Sequence, residues 1–356
     1  MGLAPYGQLN EEFYALLKST ITLEGFHCCH RGAELFKGVD RLQDFKCGID
    51  EPIESAADLA FTGQFFFQEL MTGLLEHLHQ VTGLENLTLA GGCGLNSAFN
   101  GYITQKTGFK SVHIPSAPAD DGTALGAALL SFRQQNPAAM RAPVVSPYLG
   151  SVITDQAVEH FKQFNQAFTI EHLPGRIVAE TAKRLSDGAL IAWVQGRAEF
   201  GPRALGNRSI LADPRFAKTQ DVINQRIKFR EKYRPFAPAI LAEYGPDYFE
   251  HYQDSPYMDK TLTIRPDKRS QLGAVCHVDG TGRLQSVTEQ RNARFYALLT
   301  AFYDLTDVPV LLNTSFNVMG KPLVHSLEDC LTVFMTTGLD ALVVNDYLIT
   351  KKTDER

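Results

Sequence analysis

Four arginines, Arg197, Arg203, Arg208 and Arg215, share the stretch QGRAEFGPRALGNRSILADPR (195–215) with only two acids. A Gly-Pro kink and a Leu-Gly-Asn turn make this segment too irregular for a solvated helix face. Guanidinium forks match phosphate and carboxylate oxygens in pairs, so arginines on a kinked backbone point to polyphosphate recognition. Downstream, IKFREKYRPFAP adds Lys228, Arg230, Lys232 and Arg234. If Ile227 and Phe229 face inward on an extended segment, Lys228 and Arg230 share the opposite face; a solvated surface, or an ion-pair network with Glu231, is the alternative. LNTSFN (312–317) then sets Asn313, Thr314, Ser315 and Asn317 at the end of an apolar strand, a platform for a base, a ribose or a planar amide. No Ser-His-Asp or Cys-His arrangement stands out.

The first half carries two further turns. AGGCGLN (90–96) follows a short apolar run, and its glycines let backbone amides approach a phosphate or nucleoside. PSAPADDG places Asp120 and Asp121 after another such run; one carboxylate there can ligate a divalent metal while the other caps a helix, or both can be caps. Both turns follow strands, so both belong at the carboxyl edge of one sheet, where open α/β folds bind ligands. HCCH (27–30) has adjacent cysteines, awkward for chelating one ion, and His77 and His79 point to different helix faces.

The elements positioning these residues read from periodicity. Leu59, Phe65, Phe66, Leu70, Leu74 and Leu78 recur at helical spacing over 57–81. A helix is expected to begin near Asn96 or Ser97, another over 177–186, and one around TQDVINQRIKF. ALIAWVQG, RPFAPAIL, VPVLLNTSF and ALVVNDYLI read as strands, and Ser326 with Asp329 as a capping pair opening SLEDCLTVFMTTG. The Pro-bearing segment 136–151 is the best linker, and 245–282 reads as a polar connection. Strands alternating with helices in both halves give an α/β class.

A chain of 356 residues favours two domains. Its 44% apolar and 21% charged content fits a globular protein, and its net charge of -6 argues against a general nucleic-acid binder. No apolar run is long enough to span a bilayer, no secretory signal is visible, and six scattered cysteines suit reduced thiols, so a cytoplasmic location is expected.

MGLAPYG, AGGCGLNS, PSAPADDGTALGAAL, the long arginine stretch, IKFREKYRPFAP and VPVLLNTSFN, in that order, resemble the O-carbamoyltransferase family of nodulation-factor and antibiotic biosynthesis. The resemblance implies the C-terminal lobe of an actin-like ATPase-type domain (1–145), a linker (146–170) and a YrdC-like α/β domain (171–356). It implies an enzyme that uses ATP, Mg²⁺ and carbamoyl phosphate to form carbamoyl-adenylate, then carbamoylates an acceptor hydroxyl on a sugar, a lipo-chitooligosaccharide or an antibiotic. Arg203, Arg208, Lys228 and Arg230 would be catalytic. Gly91, Gly92, Asn96, Arg197, Ser209, Arg234, Asn313, Thr314, Ser315 and Asn317 would bind nucleotide or carbamoyl phosphate. Asp120 and Asp121 would hold a divalent transition metal, iron being the expectation. In this family MGLAPYG follows a first lobe with a phosphate loop and a His-x-x-x-His metal pair, both missing here. The chain is therefore expected to be a fragment, one half of a split pair with a separate N-terminal-lobe protein, or degenerate, with an exposed sticky face.

Overall fold

The computed structural model of the chain describes residues 1–30, 37–38, 40–48, 50–139 and 146–352. In the first half, α1 (Glu11–Thr20), capped by Asn10, and the hairpin of β1 (Ile21–Glu24) and β2 (His27–His30) lie against the long α2 (Ala57–Thr82). Gly83, at φ 64, stops α2. The parallel strands β3 (Asn86–Thr88) and β4 (Ser111–His113) flank two one-turn helices, α3 (Ser97–Asn100) and α4 (Ile103–Lys106). Leu75, Leu87, Phe99, Ile103, Phe109, Val112 and Ile114 form a small core. The glycine and acid turns follow β3 and β4, at the same carboxyl edge, as expected. The half closes with α5 (Thr123–Gln135), which buries no residue; Leu129, Leu130 and Phe132 stand exposed, Leu130 at 60%.

The second half is built on one nine-stranded mixed sheet. In chain order its elements are α6 (Asp155–Phe164), β5 (Phe168–His172), α7 (Ile177–Ser186), β6 (Ile191–Val194), β7 (Arg208–Ala212), α8 (Lys218–Ile223), β8 (Ala237–Leu241), α9 (Gly245–Tyr248), β9 (Lys260–Thr263), β10 (Thr281–Val287), α10 (Ala293–Thr306), β11 (Val310–Ser315), α11 (Leu327–Thr336), β12 (Ala341–Val344) and β13 (Tyr347–Lys351). The strand order is β5-β13-β12-β6-β7-β11-β8-β10-β9, with only β12/β6 and β10/β8 parallel. β6, β7, β8 and β12 are buried at every position, and all but β7, which opens on Arg208 and Ser209, read as continuous apolar runs. α7 and α10 lie side by side, and Ser326 and Asp329 form the expected capping box on α11.

Three expectations need correction. Residues 146–170 are not a linker throughout: Thr154 caps α6, Val158 of α6 is fully buried in the sheet's core, and Phe168 begins β5. Residues 140–145 lie outside the described residues. ALVVNDYLI is two strands, β12 and β13, because Asn345 turns the chain at φ 50. The supposed polar connection carries the edge strand β9 and the start of its neighbour β10, whose polar residues hid them.

The two halves join at β9. Asn100, fully buried, donates Nδ2 to the carbonyl of Asp259 at 2.8 Å, and Gln253 donates to the carbonyl of Gly101 at 3.1 Å. Gly101 has an ordinary helical backbone, yet a Cβ there would stand 1.9 Å from the carbonyl oxygen of Thr261. Gly101→Ala is therefore expected to force the junction apart and lower stability by about 1–3 kcal/mol; a thermal unfolding midpoint equal to that of the parent would refute the packing role.

Candidate functional site

The arginine loop is held from inside by two buried charges. Glu199 Oε1 accepts the backbone N–H groups of Leu205 and Asn207, both at 2.7 Å, and of Arg208 at 3.2 Å. Burial pushes the Glu199 carboxyl up, and these N–H groups pull it back. Arg208, 0% exposed, donates to the carbonyls of Gln195 (2.9 Å), Asn207 (2.8 Å), Gly196 (3.1 Å) and Ser151 (2.8 Å). Arg208, expected to be catalytic, thus spends both terminal nitrogens on backbone carbonyls, and its Nε is buried without a partner. Ser209 is also interior, accepting from Gly206 N–H at 3.1 Å. Arg197 donates to the carbonyl of Gly150 at 3.0 Å, and Arg215 is paired with Asp213.

Arg203 alone of the four points elsewhere. It lines a cleft of about 690 Å³ with Arg230, Arg234 and Arg283 from the second half and Tyr6, Gln64, Ser97 and Tyr102 from the first. That volume suits a nucleotide-sized ligand. Among the described residues Arg203 has no hydrogen bond or ion pair, and burial lowers its pKa. Arg283 Nε has neither partner nor solvent; burial, then Arg203 and Arg230, lower its pKa. Arg230 donates to Asn224 Oδ1 at 2.8 Å and lies over the Phe236 ring, while burial and Arg234 bring its pKa to about 10. Arg203 and Arg283 have no ion-pair partner among the described residues, Glu231 acts only on Arg230 of the three, and Asp279 is the carboxylate in the cleft lining, so three clustered guanidiniums favour an anion between them.

Lys228 stands beside this group. Its Nζ donates to the carbonyl and hydroxyl of Ser315, the carbonyl of Asn317 at 3.0 Å and Asn317 Oδ1 at 2.8 Å. Burial and the Arg230 charge push Lys228 down to about 7. The structure therefore joins Lys228 to Ser315 and Asn317, as a platform. It corrects the extended reading: residues 224–228 form a π-turn, Ile227 is buried, and Phe229 at φ 49 is 54% exposed rather than inward. The strained turn aims Lys228 and Arg230 to separate partners. Asn313 is buried, donating to Gln285 Oε1 at 2.8 Å, and Thr314 is half-buried beside it. Arg234 is ion-paired with Glu231, the partner named by the alternative reading.

The first-half candidates do not reach this cleft. Asn96 is tied to Gln64 in both directions, at 3.0 and 3.1 Å. Gly91 and Gly92 are exposed, with open space where a Cβ would sit, and Gly91 at φ 96 needs glycine. Asp120 and Asp121 are exposed at the start of α5, and Asp121 Oδ1 accepts Gly122 N–H. Among the described residues no third histidine, cysteine or carboxylate joins them, so they do not make a metal site by themselves. Sequence reading missed Arg283 and its neighbour His277; a lone arginine in a polar stretch gave no clustering signal. A second cleft of about 770 Å³ surrounds Tyr148, Tyr257 and the Asp254–Arg291 pair, where Asn292 donates to Tyr148 Oη at 2.9 Å.

Two family profiles match, "Carbamoyltransferase N-terminus" over residues 1–129 and "Carbamoyltransferase C-terminus" over residues 182–351. "Nodulation protein NolNO" of Sinorhizobium fredii is 41% identical, covering 99% of this chain and 52% of its own length. "Nodulation protein NolO" of Bradyrhizobium diazoefficiens is 38% identical, over 99% of this chain and 65% of its own. "3'-hydroxymethylcephem-O-carbamoyltransferase" of Amycolatopsis lactamdurans is 37% identical, over 73% and 48%. The chain thus spans about half to two thirds of these relatives. Among solved structures, full-length HypF in a phosphate- and nucleotide-bound form overlaps with a TM-score of 0.35 at 13% identity, over 67% of this chain and 36% of that one.

The geometry separates two arginines that look alike in sequence. Arg208→Leu strands four carbonyls and the Glu199 charge and is expected to cost about 3–5 kcal/mol in urea unfolding. Arg203→Leu removes an unpaired, partly buried charge; it should leave the urea midpoint unchanged or raised while abolishing pyrophosphate binding. The reverse pattern would overturn these assignments.

Proposed function

The chain belongs to the carbamoyltransferase family, and from that premise we propose that its arginine cleft is an O-carbamoyltransferase's site for activating the carbamoyl donor. The single observation that supports this best is the gathering of Arg203, Arg230 and Arg283 on one cleft, where Arg203 and Arg283 lack an ion-pair partner among the described residues. In this reading ATP, with its Mg²⁺, and carbamoyl phosphate bring the missing negative charge. Water hydrolyses carbamoyl phosphate to carbamate and inorganic phosphate, the carbamate oxygen attacks the α-phosphorus of ATP, and pyrophosphate leaves with the electron pair of the broken P–O bond. The guanidiniums stabilise charge on the transferring and departing phosphates. Lys228, positioned by Ser315 and Asn317, adds a proton-dependent charge. The carbamoyl group then passes to an acceptor hydroxyl, a sugar of a nodulation signal or of an antibiotic, and AMP departs.

Transfer is proposed to need more polypeptide than this chain supplies. α5 leaves Leu129, Leu130 and Phe132 exposed, Asp120 and Asp121 lack further ligands among the described residues, and the relatives are longer. A first-lobe segment, in a longer chain or a separate protein, would cover α5 and supply the remaining metal ligands.

Given ATP, Mg²⁺ and carbamoyl phosphate without acceptor, the chain is expected to release pyrophosphate in a carbamoyl-phosphate-dependent way. Arg203→Ala and Arg283→Ala should each slow this roughly 10²-fold or more. Release independent of carbamoyl phosphate, or none from folded protein, would sink the reading.

The depressed Lys228 gives a pH signature. Its folded pKa of about 7 lies below its ordinary 10.5, so the unfolded chain binds more protons between them. Lys228 therefore lowers stability near pH 7, and that penalty disappears as pH rises toward 10.5. An anion bound at Arg230 offsets the charge that depresses Lys228, so calorimetry at pH 8 should detect proton uptake on pyrophosphate binding, lost in Lys228→Met. Equal uptake in both would refute the role.

A further inference from the structure

The segment Val275–Val287 carries, besides Arg283, a histidine with an unusual set of partners. His277 lines the arginine cleft together with Asp279 and Thr281. Thr281 Oγ1 donates its only proton to Asp279 Oδ1 at 2.7 Å. The same oxygen lies 3.0 Å from His277 Nδ1; with the hydroxyl proton on Asp279 it accepts there, which assigns the ring hydrogen to Nδ1. The turn's backbone is fixed by His277 N–H donating to the carbonyl of Thr281 at 2.8 Å and Gly280 N–H to that of His277 at 2.9 Å, and the Nδ1–Thr281 contact orients the ring on it. Nε2 is left as a bare lone pair, with no partner and no solvent. Burial, aided by Arg283 and opposed by Asp279, brings the imidazole pKa to about 4, so near neutral pH the ring is uncharged and its tautomer fixed.

His277 shares the cleft lining with Arg203, Arg230 and Arg283. Arg203, Arg230 and Arg283 can only donate, which serves the oxygens of an anion. A locked imidazole Nε2 serves no anion oxygen; it requires a ligand N–H or O–H. The ligand that satisfies both sets joins anionic oxygens to a hydrogen-bond donor a few atoms away. Resting on the donor-activation reading above, carbamoyl phosphate has these features, its phosphate meeting the guanidiniums and its amide presenting N–H.

We propose that His277 Nε2 accepts a hydrogen bond from the carbamoyl N–H at the arginine cleft and thereby selects carbamoyl over acyl groups of the same shape. Asp279 and Thr281 are positioning residues, acting through the tautomer they impose. A buried acceptor that loses its donor is left unpaired, so an analogue with a methyl in place of the amino group is disfavoured more than its shape alone would require.

The test compares carbamoyl phosphate, acetyl phosphate and inorganic phosphate binding to the full chain by competition calorimetry. The parent should prefer carbamoyl over acetyl phosphate by roughly tenfold or more. His277→Leu should abolish this preference while leaving inorganic phosphate affinity unchanged. His277→Gln, which keeps an acceptor oxygen, should retain part of it, and Thr281→Val, which frees the tautomer, should weaken it. A preference intact in His277→Leu, or equal loss of all three ligands, overturns the assignment while the donor-activation reading stands. Absence of carbamoyl phosphate binding to the parent overturns both.

Discussion

The opposed anchoring of Glu199 and Arg208 is the constraint on which the candidate site depends. A kinked loop passing between two halves of a protein leaves N–H and C=O groups that no strand partner can satisfy. Glu199 gathers three of the N–H groups and Arg208 takes four carbonyls. Each charge is costly when buried, and each is stabilised by backbone dipoles of the sign it needs. The loop thereby acquires one shape, and Arg203 is delivered to the cleft without hydrogen-bonding obligations of its own.

The same division between engaged and unengaged charge runs through the rest of the basic cluster. Arg215 and Arg234 have carboxylate partners, Arg197 a carbonyl, and Lys228 four oxygens around Ser315 and Asn317. Arg203 and Arg283 have none among the described residues. A basic protein surface would leave its charges solvated; here the unsatisfied ones are withdrawn from water and turned toward each other. Phe229 contributes by strain: at φ 49 it breaks the π-turn so that Lys228 goes inward to β11 and Arg230 toward the cleft. An extended segment would have put both on one face, with the same ligand.

Much of the scaffold was legible because its periodicity is strong. The helices at 57–82 and 177–186, the buried central strands and the Ser326 capping box follow from apolar spacing and one short polar side chain. The arginine loop was legible as a locus, but not which arginine does what. Arg203 and Arg208 stand in similar composition, and only the tertiary placement of Ser151, Gly196 and Gln195 decides that Arg208 is interior. Arg283 and His277 were illegible for a different reason. Their strand lies near a sheet edge with polar residues on it, so the segment looks like a connection until β8 and β9 pair on either side.

The contact between the halves also explains why the loop could not be reshaped without cost to the first half. Gly201, at φ 125, lies so close to the segment before Asp120 that a Cβ would stand 2.2 Å from the carbonyl oxygen of Ser116. The turn that presents Arg203 is therefore packed on the turn that presents the acidic pair. On the other side, Ser97 and Tyr102 complete the cleft wall, while Asn100 and Gly101 between them grip β9. A shift of the first half would move one wall of the arginine cleft and the support of its loop together. The cleft is thus lined from both halves, and the buried amide of Asn100, donating to the carbonyl of Asp259, ties those halves beside it.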